Sequence, residues 1–318
     1  MKEFIVKIIK HIFISFVLAN MLILAFIKLY PEYFITDFRD YVVLTSQYQR
    51  IQTSKNNNRV IIGDSRANVA FKTSLINHRY NNLAIPGSTF IEGYFTVRKL
   101  MESSHIDTIV CCYGNSYLES EGWFDRRTLK LGQNLISFSD LIEIQKSEKK
   151  VNNLSHWKES TQRILTYLHF PYLFRSDFFK NVLKIKQNKN SNFILEKVQF
   201  DEGNFYFEQQ NINNILGNKS NNKVDRRINL HPVVNYFKDK LLELCRNENV
   251  VLIFVFPPTF SENELCGQNY FREILDKSGF MVFQYPIFSI NLFSDETHLN
   301  KKGSVEFMTL FSKSINAL

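Results

Sequence analysis

The residues best suited to chemistry are a serine early in the chain and an acid–histidine pair near its end. Ser65 closes the tripeptide Gly63-Asp64-Ser65, just beyond the β-branched run Arg59-Val60-Ile61-Ile62-Gly63. Gly63 permits a tight turn, and Ser65 then begins or precedes a helix, with its hydroxyl raised above the strand end near backbone N–H groups. A serine hydroxyl becomes an effective nucleophile when a base removes its proton. Asp295-Glu296-Thr297-His298 offers that base. Its spacing lets the Asp295 carboxylate hold one imidazole nitrogen of His298 while the other faces Ser65. Each motif also has a plainer reading. Asp and Ser are routine helix N-caps, and an Asp-x-x-His pair occurs in ordinary surface loops. The order Ser…Asp…His is that of the α/β hydrolases, although there the acid and the base lie far apart in sequence.

Two more positions belong with these. Gly87, in Ile85-Pro86-Gly87-Ser88, and Asn115, in Tyr113-Gly114-Asn115-Ser116, each follow a strand-like run. A Gly backbone N–H and an Asn side-chain amide are donors suited to the negative charge that develops on a carbonyl oxygen during acyl transfer. Both residue types are also common in plain turns.

The elements that position these residues are legible as an α/β rhythm. Strands are expected at 59–63, Tyr80–Ala84, Thr108–Tyr113, Val250–Phe256 and Phe280–Gln284. Helices are expected from about Ala67, over Phe90–Glu102, Val233–Asn247 and Lys302–Ile315. Alternation of this kind implies a mostly parallel five-stranded sheet with helices on both faces. The site of such a sheet lies beyond the carboxyl ends of its strands, where Ser65, Gly87 and Asn115 fall. The stretch 116–230 breaks the rhythm. It is rich in Asn and Lys, carries amphipathic pieces such as Trp157–Phe179, and reads as an insertion forming a lid or cap.

The N-terminus reads differently. Phe4–Tyr30 is dominated by apolar residues, and Ile12–Ile27 holds no charge. With its flanks it approaches the roughly 20 residues that span a bilayer as a helix. Lys2, Lys7 and Lys10 precede it, so the positive-inside rule places the N-terminus in the cytoplasm and the remainder outside. No A-x-A-like site follows, which favours an uncleaved anchor over a signal peptide. The expected organisation is a transmembrane anchor over 1–30, a linker over 31–58 and a catalytic domain over 59–318.

Composition narrows the partners. The 318 residues carry a formal charge of +8, but the basic residues are dispersed among acids. No Arg-rich run or zinc-finger spacing occurs, which argues against nucleic acid. Cys111, Cys112, Cys245 and Cys266 form no C-x-x-C, so no metal is indicated and no disulfide is established. The G-x-G-x-x-G and P-loop patterns are absent, which ranks a nucleotide-binding protein last.

Taken as an ordered set at strand ends, Gly63-Asp64-Ser65, Gly87, Asn115 and Asp295-x-x-His298 resemble the four blocks of the SGNH (GDSL-like) hydrolases over residues 59–115 and about 232–318. The resemblance implies a flavodoxin-like three-layer sandwich and a cofactor-free serine mechanism. Ser65 is then the nucleophile, Asp295 the acid and His298 the base. An oxyanion hole comes from the backbone N–H groups of Ser65 and Gly87 and the side chain of Asn115. Three departures stand out. Tyr113 and Ser116 replace the Gly and Asp of the usual Gly-x-Asn-Asp block, and Arg66 replaces the usual Leu after the serine. With a single anchor, the chain looks most like members that add or remove acyl groups, acetyl foremost, on cell-surface polysaccharides. Water as acceptor gives an esterase and a sugar hydroxyl an O-acyltransferase. A transferase needs a membrane partner to deliver the acyl group. The alternative is a non-catalytic SGNH-like module that binds glycan or scaffolds a polysaccharide-assembly complex.

Overall fold

The structure, a computed structural model, describes residues 2–29, 47, 49–51, 58–76, 80–119, 136–152, 164 and 229–316. Five strands, β1 (Arg59–Gly63), β2 (Asn81–Asn82), β3 (Thr108–Cys112), β4 (Val251–Val255) and β5 (Met281–Phe283), form one sheet. Its order is β2-β1-β3-β4-β5 and every pairing is parallel. Parallel neighbours require crossovers, which the helices supply: α2 (Ser65–Ala70), α3 (Phe90–Met101), α4 (Asn115–Glu119), α5 (Phe138–Asn152), α6 (Pro232–Asn247), α7 (Glu262–Ser278) and α8 (Lys301–Asn316). From β1 the chain moves outward to β2, then returns to place β3 on the other side of β1. The sheet's switch point therefore lies between β1 and β3, beyond whose carboxyl ends doubly wound sheets hold their ligands.

Period-two alternation divides the strands between two cores. Val60, Ile62, Ile109, Cys111, Leu252 and Phe254 face the layer of α3, α5, α6 and α7. Ile61, Val110, Cys112, Ile253 and Val255 face α2 and α8. Adjacent Cys111 and Cys112 thus point to opposite faces, and all four cysteines are free thiols. Burial pushes the Cys111 and Cys112 thiols well up.

Strand 2 is shorter than its expected span over Tyr80–Ala84. Beyond Asn82 the chain still runs alongside β1, with Leu83 N–H donating to Ile61 O at 2.8 Å and Ile85 N–H to Gly63 O at 3.0 Å. Helix α7 fills the crossover between β4 and β5, for which the strand pattern alone specified no helix. Ser261 caps it, accepting from Glu264 N–H at 3.5 Å, and Gly279 closes it at φ 106°, the left-handed C-terminal stop that glycine favours.

Helix α1 (Lys2–Leu29) occupies the segment expected to be a transmembrane anchor. Among the described residues, however, no helix is long and apolar enough to cross a membrane. That finding does not support the transmembrane span expected over 1–30; the described apolar side chains of the helix, among them Phe4, Ile12, Phe13 and Leu22, are exposed.

The insertion leaves and rejoins the domain at one point: His231 N–H donates to Leu118 O at 2.9 Å. Within it, α5 packs on α6, and Arg98 of α3 pairs with Asp140 and Glu143. Apart from Ile164, the piece Trp157–Phe179 lies outside the described residues, as does most of the linker 31–58.

Candidate active site

Gly63 ends β1 because nothing larger fits. A Cβ there would overlap the Cys112 carbonyl oxygen on β3 and the Ala67 side chain on α2. The close approach lets the chain turn directly from strand to helix at the switch point. Asp64 then caps α2. Its Oδ1 accepts from Arg66 N–H at 2.7 Å and Ala67 N–H at 3.4 Å, while Oδ2 accepts from Gly114 N–H at 3.1 Å. Of the two residues that sequence offered as a cap, the acid takes the role. The Ser65 hydroxyl is left for another partner.

That partner is His298. Ser65 Oγ lies 2.8 Å from His298 Nε2. On the other side of the ring, His298 Nδ1 lies 2.8 Å from Asp295 Oδ2 and 3.0 Å from Oδ1. The three side chains form one hydrogen-bonded line, with serine and acid on opposite imidazole nitrogens. If Nδ1 carries the proton for Asp295, Nε2 is the acceptor facing Ser65. Both His298 and Asp295 are partly exposed, so the line opens to solvent.

The turn 295–298 is locally self-built. Asp295 Oδ1 also accepts the backbone N–H groups of Thr297 and His298, each at 2.8 Å. Ser294 N–H donates to His298 O at 2.8 Å, and Phe293 bridges Leu299 in antiparallel fashion. Asn300 pins the base of the loop by donating to Asn291 O at 2.7 Å and accepting from Gly303 N–H at 3.0 Å. Burial alone would raise the Asp295 pKa. The hydrogen bonds from His298 and from Thr297 N–H outweigh it and hold the carboxyl down at about 2.

Ser65 and His298 are brought together by packing between α2 and α8. Phe71, just past the end of α2, meets Phe307 and Phe311 of α8 edge-on at 5.0 Å each. Ser304 Oγ donates to Ala70 O at 3.0 Å. These contacts fix the helix that follows His298 against the helix that begins at Ser65.

The expected oxyanion donors are placed as follows. Ile85-Pro86-Gly87-Ser88 is a tight turn closed by Ser88 N–H to Ile85 O at 2.9 Å, with Gly87 at φ 77°. Pro at the second position and a positive-φ Gly at the third are the type II pattern. Asn115 begins α4, and its Nδ2 donates to Glu264 O at 2.8 Å. One amide hydrogen is therefore committed to the protein, and the amide has a second N–H to donate.

The departures from the SGNH pattern have physical counterparts. Tyr113 turns into the core, where its ring lies 5.3 Å from that of Phe90 and Gly93 makes room for its hydroxyl. Arg66 folds back over Gly114, where a Cβ would overlap its guanidinium. It pairs with Glu264 through Nη1 and lies 3.7 Å from Asp64 Oδ2 through Nε. Burial works against its charge, but Glu264 and Asp64 more than offset that, and its pKa is raised. Sequence reasoning missed Glu264 altogether. The signal was present in Ser261-x-x-Glu264, a capping pattern at a helix start.

Set against protein-family models and curated proteins, the chain has no match.

Proposed function

We propose that this protein is a serine esterase or O-acyltransferase that acts on ester-linked acyl groups, acetyl foremost, of cell-surface polysaccharide or glycoconjugate. The observation that carries the reading is the line Ser65 Oγ–His298 Nε2–Asp295 at the switch point of a parallel sheet. Surface histidines and helix caps do not need this alignment, whereas acyl transfer through serine does.

In this reading His298 Nε2 takes the Ser65 proton as Oγ attacks the ester carbonyl. Asp295 stabilises the resulting imidazolium. The oxyanion is met by the backbone N–H groups of Ser65 and Gly87 and by the second N–H of Asn115. His298 returns the proton to the leaving alkoxide, and the acyl group stays on Ser65. Water then yields hydrolysis, while a sugar hydroxyl yields transfer. The ordered resemblance to SGNH hydrolases supports the same assignment. The exposed apolar helix α1, with Lys7 and Lys10 among its residues, suits a domain held at the outer face of the cytoplasmic membrane. There it would meet both glycan and an acyl-donor partner.

A fluorophosphonate probe tests the reading directly. The folded protein is expected to label covalently, and Ser65→Ala to abolish labelling without loss of fold. A folded wild-type protein that neither labels nor hydrolyses p-nitrophenyl acetate refutes it. Release of p-nitrophenol with and without an oligosaccharide acceptor then separates the two chemistries, since an acyltransferase forms acetylated oligosaccharide.

A further inference from the structure

We infer that Arg66, acting with Glu264, is a positioning residue that aims the Asn115 amide at the reaction centre; the inference rests on the serine-acyl reading above. Arg66 is the residue after the nucleophile, and its guanidinium is buried. It reaches across Gly114 to the first turn of α7, where Glu264 receives it, while Asp64 holds its Nε side. Glu264 is itself fixed. Its Oε2 accepts from Thr259 Oγ1 at 3.1 Å, and Thr259 Oγ1 in turn accepts from Ser261 N–H at 2.9 Å. The loop that follows β4 is thereby tied to the turn that follows β1.

The backbone carbonyl of Glu264 is the acceptor for Asn115 Nδ2. One residue of α7 therefore grips the nucleophile turn with its side chain and the Asn115 amide with its backbone. A planar amide held at one N–H has its other N–H direction set. Asp64 completes the frame by accepting Gly114 N–H, next to Asn115 in the chain. The strand ends of β1, β3 and β4 converge on one guanidinium. Its fork matches two carboxylates at once, which the point charge of a lysine does not. An apolar residue at position 66 would leave α7 free to shift relative to Ser65.

The arrangement predicts a loss of turnover rather than of substrate binding, because an oxyanion donor acts on charge that develops in the transition state. The test uses the full chain with p-nitrophenyl acetate and a double-mutant cycle between positions 66 and 115. Arg66→Met is expected to lower kcat by about 10- to 100-fold with KM changed by less than about twofold. Asn115→Ala should lower kcat similarly, and the double variant should be little worse than either single one, because both remove the same aimed donor. Glu264→Gln, which keeps an acceptor oxygen for Arg66, should fall between wild type and Glu264→Ala. If Arg66→Met does not fold, Glu264→Ala enters the cycle in its place. Folded variants with kcat within about twofold of wild type, or effects of positions 66 and 115 that multiply, overturn the inference. An inert wild-type protein instead overturns the serine-acyl reading, so the two failures are distinguishable.

Discussion

Replacing Asp295 by Asn tests the line of three residues most sharply. The asparagine oxygen can still accept from the backbone N–H groups of Thr297 and His298, so the turn is expected to hold. What changes is the group facing His298 Nδ1, now 2.8 Å from a full carboxylate. A carboxylate accepts a hydrogen bond from Nδ1–H, which keeps the proton on Nδ1 and leaves Nε2 as a base toward Ser65. A carboxamide N–H favours the opposite tautomer, whose Nε2 already carries a proton. Loss of the correct tautomer and of imidazolium stabilisation costs about 10³- to 10⁴-fold in turnover, or about 4–5.5 kcal/mol. The stability change is smaller. The gap between about 2 and the ordinary carboxyl value of 3.8 corresponds to about 2 kcal/mol of preference for the charged form, at about 1.4 kcal/mol per pH unit. Because the folded pKa is depressed, this stabilisation is complete above about pH 4 and is lost as pH falls toward 2. Wild type should therefore exceed Asp295→Asn by about 1–2 kcal/mol at pH 7 in urea unfolding, and the two should converge in acid. The assay pairs p-nitrophenyl acetate turnover with those unfolding curves. A folded Asp295→Asn protein that keeps its rate within about tenfold of wild type would show that Asp295 does not orient the base.

Other outcomes follow from the same geometry. Asp64→Ala removes the cap of α2 and the acceptor for Gly114 N–H, and should destabilise by about 2–3 kcal/mol in urea unfolding. Ser65→Ala should stay within about 0.5 kcal/mol of wild type, since Ser65 caps nothing. Gly63→Ala forces a Cβ into the Cys112 carbonyl and should cost about 3 kcal/mol; an unchanged urea midpoint would contradict the close approach of β1 and β3. Phe307→Ala opens the contact between α2 and α8 and should cost about 3–5 kcal/mol. It should also lower fluorophosphonate labelling in the protein that remains folded, because that contact sets the Ser65–His298 distance.

Much of the fold was readable because its signals are local. Buried parallel strands announce themselves as apolar runs, and β1, β3 and β4 are found within a residue or so of their expected spans. The weak edge strand β2 was less legible, since Asn81 and Asn82 carry no β-branched signal. The strand pattern does not announce helix α7, although Ser261 and Gly279 mark its two ends. The apolar character of residues 1–30 was plain, but a transmembrane span was not upheld.

The sequence by itself determined which residues have the chemical types for acyl transfer and that they fall at strand ends, since residue type and periodicity are properties of the chain. It also held the Asp295–His298 contact, because three residues on one turn are neighbours wherever the chain goes. Only the tertiary structure decided that Asp64 rather than Ser65 caps α2, for both types are capable of it. It likewise decided that His298 meets Ser65, which depends on Phe71, Phe307 and Phe311 packing two helices distant in sequence. And it revealed that the arginine departing from the SGNH pattern is paired with Glu264, a partner 198 positions away. Buried charges are matched by whatever the fold brings near, and no local pattern in the chain specifies that.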